Sequence, residues 1–279
     1  MISRVSIVLL AMFICMSSRA PAQDSTSALG IVLASTVPAT AIGAAIYQNY
    51  ETFWKRSDIY PFHFSNDPPY AYHNDKMGHA YYTGFATSLG KEAYILAGMD
   101  RKKAVWIAAS AAFLAQTLVE IEDGVREDGP HTGFSPGDEI ANLLGASFQI
   151  LKEYEPYLRN FDYKLGFYPS DSYYEHAYRS ILDDNESRYY WMSYNLSAAI
   201  DADWYPKWLN VGVGHSVKGI SQWWKQPTTE AFIGFDLNLK GLPIEGRAWT
   251  VIAELLSHFR IPFPALQVTP IVKWRWLQP

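Results

Sequence analysis

The pattern of apolar and polar positions divides the chain into a helical first half and an alternating second half. Long stretches of good helix formers predict helices over residues 25–50, 75–98, 101–122 and 136–157. Ser135 is placed to cap the last of these helices, and Pro136 suits its first turn. About four helices of this length predict a helical bundle.

Three of these stretches are almost free of charge. Residues 25–50 contain no charged residue and are long enough to span a bilayer, but their Ser, Thr and Pro38 also suit a buried, kinked helix. The uncharged runs 104–119 and 140–151 are shorter than the roughly 18 to 20 residues that a spanning helix needs. We expect these two to be core helices or helices that lie against a membrane.

Beyond about residue 160 the chain is first rich in tyrosine and turn residues and then alternates with a period of two. Such alternation predicts strands at residues 209–214, 231–239 and 272–276, and a further helix is expected over residues 245–259. The predicted fold is mainly α, with a C-terminal α+β part in which a few antiparallel strands pack on the helices. The predicted division is a signal peptide over residues 1–22, a helical core over 23–160, and a Tyr- and Trp-rich α+β part over 161–279.

The first 22 residues are typical of an export signal. Arg4 precedes an uncharged apolar run over residues 5–16, and Ala-Pro-Ala at residues 20–22 offers a cleavage site. The only cysteine, Cys15, lies inside that run, so the cleaved chain has no thiol for a disulfide. A lipid anchor at Cys15 is the alternative. We predict an exported protein of the periplasm, or one associated with the outer membrane, in a Gram-negative-type envelope.

Charge and composition narrow the classes of partner. A net charge of −5 without a Lys/Arg-rich run argues against nucleic-acid binding. The chain has 19 Tyr and 10 Trp, whose amphipathic rings suit membrane–water boundaries as well as cores. We therefore expect an envelope membrane or lipid as a partner, while a protein partner stays open. The metalloprotease motif H-E-x-x-H and phosphate-binding glycine loops are absent from the sequence.

Three of the predicted helices each devote one stripe of an apolar surface to polar groups. The stripes repeat at spacings of three and four residues, and they consist of Asp75 with His79; Gln116, Glu120 and Asp123; and Asp138, Asn142 and Gly145. Residues at these spacings share one face of a helix. Because an unpaired polar group costs on the order of a few kcal/mol to bury, we expect the three stripes to meet.

A meeting point of this kind suits acid–base chemistry, because neighbouring carboxylates raise one another's pKa and histidine titrates near neutrality. The candidate catalytic residues are His79 as base, Asp75 to orient it, and Glu120 as acid. The candidate substrate-binding residues are Lys76, Gln116, Ser135, Asp138 and Asn142. A divalent metal is the alternative use, with His79, Glu120, Asp123 and Asp138 as candidate ligands. A third interpretation is a network that only fixes helix register.

Four segments carry a resemblance to known families: DKMGHAYYTG, AQTLVEIEDG, GFSPGDEIANLLGA and RIPFPAL. They resemble the YfiM-like family of predicted periplasmic lipoproteins, and the resemblance covers roughly residue 53 to the C-terminus. The helical part is also similar to the VanZ-like membrane proteins linked to glycopeptide resistance. The positions that match the YfiM-like pattern are Asp75, Lys76, His79, Glu120, Asp123, Gly124, Ser135, Asp138, Asn142 and Gly145.

The resemblance implies a VanZ-like core of about four helices and a lipid anchor, but no established reaction. Our hypothesis is an exported cell-envelope protein that acts on or binds an envelope lipid or a cell-wall precursor through the His/Asp/Glu site. Whether it is an enzyme stays open. The alternative is a non-enzymatic structural or interaction factor of the envelope, in which the polar residues only fix helix packing.

Overall fold

The computed structural model describes residues 28–65, 70–127, 132–175, 184–200, 202, 204–221 and 226–279. The predicted signal peptide and Cys15 therefore lie outside the described residues. The α-helices are α1 (Ala28–Thr52), α2 (Asn74–Leu96), α3 (Arg101–Gly124), α4 (Pro136–Tyr154), α5 (Asp171–Tyr174) and α6 (Arg247–Leu256). The strands are β1 (Asp58–Ile59), β2 (Arg126–Glu127), β3 (Phe161–Phe167), β4 (Arg188–Tyr194), β5 (Leu209–Lys218), β6 (Thr228–Leu237), β7 (Phe263–Thr269) and β8 (Lys273–Gln278). A mainly α chain with a C-terminal strand part is thus confirmed.

The ends of the long helices follow local chemistry. The side chain of Asp100 caps α3 by accepting from the backbone N–H groups of Lys102 and Lys103, both at 3.1 Å. Ser135 caps α4 as predicted, and its Oγ accepts from the Asp138 N–H at 3.2 Å. Helix α4 ends at Tyr154, three residues earlier than predicted, because Pro156 begins a 3₁₀ turn.

Helices α2, α3 and α4 pack against one another, and α1 packs mainly on α2. We call α1 to α4 the helical unit. The α2–α4 crossing depends on glycine, since a Cβ at Gly145 would lie only 2.1 Å from the carbonyl oxygen of Ala80. On α3, small residues such as Ala104 and Ala108 face the interior and are nearly fully buried.

The outer side of the helical unit is apolar. Leu114 and Leu118 on α3 are about 60% exposed, as are Ile140 and Leu144 on α4. Two helical stretches, Ala28–Arg56 and Arg101–Gly124, are long and apolar enough to cross a membrane by length and composition. A buried core helix and a signal sequence meet the same criterion, so length alone does not decide where these helices lie.

The C-terminal part forms a six-stranded antiparallel sheet in which each strand from β3 to β8 pairs with the next. Three of these strands, β3, β4 and β7, were not predicted, so the expectation of only a few strands was too low. Charged residues at inward positions hide the alternation in β3, where Asp162 and Lys164 are buried. In β4 a run of aromatic residues hides it.

The two faces of the sheet reverse the usual rule for alternating strands. On β5 and β6 the polar residues Asn210 and Asp236 are fully buried, whereas Val213 and Ile233 are more than half exposed. The buried face is held by a 2.6 Å ion pair between Lys164 and Asp236. The alternation predicts the strands correctly, but it does not predict which face is covered.

The sheet contacts the helical unit mainly through α2. Tyr163 donates to the Met77 carbonyl at 3.1 Å, and Tyr81 donates to the His258 carbonyl at 3.0 Å. The amide of Asn74 donates to the Asn185 carbonyl at 2.7 Å. The first turns of α2 are therefore fixed both by neighbouring helices and by the sheet.

Candidate functional site

The chain enters α2 through an unusual backbone conformation. Three consecutive non-glycine residues, Ala71, Tyr72 and His73, have positive φ angles of 46°, 51° and 64°. Each such residue costs roughly 1 to 2 kcal/mol, so surrounding contacts must hold the turn. The buried Asn74 follows immediately, and its side chain provides such contacts through Asn185 and His215.

His79 lies at the point where α2, α3 and α4 meet. Its Nδ1 is 3.3 Å from Asn142 Oδ1 and 3.5 Å from Glu120 Oε1, and its Nε2 is 3.9 Å from Asp75 Oδ2. The amide nitrogen of Asn142 donates to Glu139 Oε2 at 3.4 Å, which directs the amide oxygen toward His79, and Thr83 Oγ1 lies 2.9 Å from that oxygen. Because Nδ1 faces two acceptor oxygens, it carries a hydrogen, and Nε2 is the nitrogen directed at Asp75.

The second carboxylate of the site, Glu120, is almost completely buried. It reaches the start of α4, where its Oε2 accepts from the backbone N–H of Ser135 at 3.1 Å. Ser135 therefore links two of the predicted stripes through its backbone while its hydroxyl caps α4.

Asp138 lies in the first turn of α4 and pairs with Lys76 across the α2–α4 contact. The Lys76 Nζ is 3.3 Å from Asp138 Oδ1. That oxygen is buried and accepts no well-aligned hydrogen bond within the described part of the chain. Asp138 thus retains an acceptor position at the centre of the site.

The remaining predicted residues lie at the margin. Asp123 accepts a hydrogen bond from the indole N–H of Trp54, which comes from the segment after α1. Gln116 lies one turn before Glu120 and is half-buried, and it makes no hydrogen bond to the cluster among the described residues. The structure therefore brings together all of the predicted site residues except Gln116.

The electrostatics of the site are dominated by an excess of carboxylates. Burial lowers the pKa of His79, but the fields of Asp75, Glu120, Asp138 and Asp123 outweigh it and raise that pKa to about 9. Burial raises the pKa of Glu120 to about 8 and that of Asp123 to about 6. Burial likewise raises the pKa of Asp138. At neutral pH His79 is therefore an imidazolium with a proton on each ring nitrogen, and both a role as general base and metal binding through Nε2 require that Nε2 first lose its proton.

Among the residues that the structure describes, one set of side chains is placed to hold a metal ion. Asp75, His79 and Asp138 each offer one ligand atom, and these atoms lie within 4.8 Å of one another. The predicted set differs by having Glu120 and Asp123 in place of Asp75; those two carboxylates are instead held by Ser135 and Trp54. About a fifth of the His79 and Asp75 side chains is exposed, so the site can be reached from solvent.

Sequence reasoning missed several members of the network. Thr83 lies four residues after His79, so helical spacing alone could have included it. Glu139 is not among the candidate residues, although it lies in the first turn of α4 and accepts from Thr117 at 2.6 Å. Trp54 approaches from a distant segment, and no periodic pattern marks it.

Comparison with known proteins agrees with the envelope assignment. A model of the family described as "Predicted periplasmic lipoprotein (DUF2279)" matches residues 64–154, about a third of the chain. This stretch spans α2 to α4 and contains Asp75, His79, Glu120 and Asp138. The chain is thus similar to an uncharacterised family of predicted periplasmic lipoproteins, and the match supports its predicted export to the periplasm. No curated protein and no solved structure matches the chain.

Proposed function

We propose that this envelope protein binds a divalent cation at Asp75, His79 and Asp138, and that the cation binds a phosphate group of an envelope lipid or cell-wall precursor. The observation that carries the proposal is the convergence of these three side chains from two helices within 4.8 Å. Imidazole nitrogen and carboxylate oxygen together suit ions such as Mn²⁺ and Zn²⁺.

The surroundings of His79 support this role. The contacts of Nδ1 with Asn142 and Glu120 fix the orientation of the ring, as hydrogen-bond partners of the non-ligating nitrogen do for metal-binding histidines. The buried Asp138 Oδ1 accepts no well-aligned hydrogen bond within the described part of the chain, and a bound metal ion would share this oxygen with Lys76 Nζ, which lies 3.3 Å away. Carboxylates in excess of cations also favour a divalent ion over an empty site.

A cation held by three protein ligands retains open coordination positions. Mg²⁺ and similar ions commonly bind one or two protein carboxylates together with phosphate oxygens of the substrate. Lys76, which pairs with Asp138, is placed to neutralise further phosphate charge. The bound phosphate would be polarised for transfer or hydrolysis.

The lipid part of the proposal is supported by the apolar outer side of the helical unit. Leu114 and Leu144 are about 60% exposed, and Trp106, whose indole donates to Tyr154 at 3.0 Å, is half-exposed near the start of α3. Amphipathic aromatic side chains next to an apolar surface are typical of membrane–water boundaries. Flotation of the purified protein with phospholipid vesicles tests this part, and a protein that stays unbound at low and high salt would contradict it.

The metal site is tested by calorimetric titration of chelator-treated protein with Mn²⁺ and Zn²⁺. We expect about one ion per chain, with affinity reduced at least about tenfold in Asp75→Asn and in His79→Gln. His63→Gln is the matched control, because the His63 imidazole contacts the Pro61 carbonyl and the Tyr60 ring and lies outside the cluster. Equal binding by wild type and Asp75→Asn, or no binding at millimolar metal, would contradict the proposal.

A structural role is the second candidate, and the complete burial of Asn142 favours it. A network that only fixes helix packing would make Asn142→Ala strongly destabilising. It would also leave Asp75→Asn, at a partly exposed position, without effect on any ligand. Measuring unfolding free energy and metal affinity on both variants separates the two functions.

A further inference from the structure

A second polar cluster surrounds a cavity of about 380 Å³ at the other end of the helical unit. The cavity lies where α3 begins and α4 ends, and β3 and the segment after β6 complete its wall. Its volume is in the range that accommodates small ligands. Lys91 and His79 are 12 positions apart on α2, so this cavity lies roughly 18 Å along the helix from the His79 site.

The lining of the cavity is rich in cations. Six basic residues face three acidic ones, Glu153, Asp162 and Glu254, which gives an excess of three positive charges. The basic residues are Lys91, Arg101, Lys152, Arg159, Lys207 and Lys240. Glu92 approaches Lys91 at 3.3 Å from behind the lining, and even if it is counted as charged, the excess remains positive.

The acidic residues are already engaged. Glu153 accepts from Lys91 at 3.1 Å and from Arg101 at 2.9 Å. Asp162 accepts from Lys152 at 3.0 Å and from Lys240 at 2.7 Å. Despite burial, the surrounding lysines hold the pKa of the Asp162 and Glu254 carboxyls below its ordinary value. The potential at this end of the molecule is therefore positive.

Several donors remain available at the mouth of the cavity. Lys207 is exposed and makes no ion pair with any described residue. Its backbone is held in place, because its carbonyl accepts from the Asn238 amide at 3.1 Å. Arg159 directs Nε and Nη2 at the carbonyls of Lys152 and Glu153, which leaves Nη1 for a ligand, and its side chain is about half exposed.

From this geometry we propose that the cavity is an anion site that binds the phosphate group of a small molecule or of a lipid headgroup. Guanidinium and ammonium donors around one cavity are the groups that recognise phosphate oxygens. This site is separate from the His79 cluster and does not depend on the metal proposed there. The cavity also differs from the His79 cluster in the sign of its charge: it attracts anions directly and needs no bridging cation.

The test is calorimetric titration of the full chain with inorganic phosphate and with pyrophosphate in the presence of chelator. We expect saturable binding that weakens as salt is raised, and at least about tenfold weaker binding in Lys207→Gln. Lys273→Gln on β8 is the matched control, since this lysine is also exposed but does not line the cavity. Because both lysines are exposed, neither change is expected to impair folding.

The proposal fails if wild-type protein binds neither anion at millimolar concentration, or if Lys207→Gln and Lys273→Gln weaken binding equally. A second arm compares sedimentation with phosphatidylglycerol and phosphatidylcholine vesicles. Lys207-dependent binding to the anionic vesicles supports a lipid headgroup as the ligand. Lys207-dependent binding to free phosphate alone supports a soluble phosphate compound.

Discussion

The two ends of the helical unit have opposite charge balance. At one end, Asp75, Glu120, Asp123 and Asp138 surround His79 and Lys76, and burial raises the pKa of three of these carboxyls. At the other end, lysines outnumber carboxylates, and the pKa of Asp162 and Glu254 is lowered. Asp138 and Asp162 are both 5% exposed, so the sign of the local charge excess decides the opposite directions in which their pKa values shift.

This contrast distinguishes buried charges that only stabilise the fold from buried charges that can bind an ion. A buried network with balanced charge can be purely structural, whereas an excess of one sign attracts a counter-ion. The acid-rich end suits a cation, and the lysine-rich end suits an anion. Four predictions test how far the two ends differ, in order of decreasing effect.

The largest effect is expected at Lys91, which is 2% exposed and lies within 3.7 Å of three carboxylates. Its replacement in Lys91→Met leaves those carboxylates without their shared cation, so the unfolding free energy should fall by about 3–5 kcal/mol. Urea denaturation at pH 7 measures the change. Lys103→Met at an exposed position of α3 is the control, and a loss below about 1 kcal/mol in Lys91→Met would mean that this end tolerates unbalanced charge.

The next effect concerns the assembly of the acid-rich end. In Gly145→Ala the new Cβ would meet the backbone of Ala80 at 2.1 Å, so α2 and α4 must separate, at about 1–3 kcal/mol. Gly43→Ala on α1 is the matched control, because no atom lies within 4 Å of its Cβ position and alanine is the better helix former. If both variants unfold at the same urea concentration, the α2–α4 contact is looser than the structure indicates.

Acid should weaken the lysine-rich end. Because the pKa of Glu254 is lowered to about 2 from an ordinary 4.5, its stabilising contribution is present above pH 4.5 and is lost as the pH falls toward 2. We expect Glu254→Gln to reduce the unfolding free energy by about 1–2 kcal/mol at pH 7 and by less at pH 3. Urea unfolding at the two pH values checks this, and an equal loss at both would exclude the lowered pKa as the cause.

Alkali should weaken the acid-rich end. The pKa of Glu120 is raised to about 8 from 4.5, so the folded chain retains a proton that the unfolded chain has lost, and stability falls as the pH rises from 4.5 to 8. Glu120→Gln should remove this loss and raise the unfolding free energy by about 1 kcal/mol at pH 9, with little change at pH 5. The measurement is made with chelator present. A variant that is destabilised at pH 9 would show that Glu120 is stabilised there as a carboxylate.

The difference between the two ends also explains what could be predicted from the sequence. At the acid-rich end, Asp75 with His79 and Asp138 with Asn142 recur at helical spacing, so their shared faces could be predicted directly. At the lysine-rich end, Lys91, Asp162 and Lys240 are distant in sequence and follow no common period. Only the packing of the sheet against the helices brings them together.

The strands show a related limit. The alternation around Val211 and Phe235 predicts strands wherever one side is apolar and the other polar or glycine. It does not predict β3, where buried Asp162 and Lys164 occupy positions that an apolar core would normally fill. Paired burial of Lys164 with Asp236 depends on long-range contacts that a local pattern does not contain.

The contacts at the start of α2 indicate that the matched stretch depends on the C-terminal part of the chain. The stretch that matches the family, residues 64–154, includes Asn74 and Gly78 but not their partners Asn185 and Tyr190. A fragment limited to that stretch would expose the Asn74 amide to water and uncover Tyr81, which is 2% exposed in the full chain. A chain made of the matched helices alone would therefore need another segment or a second polypeptide to cover this surface.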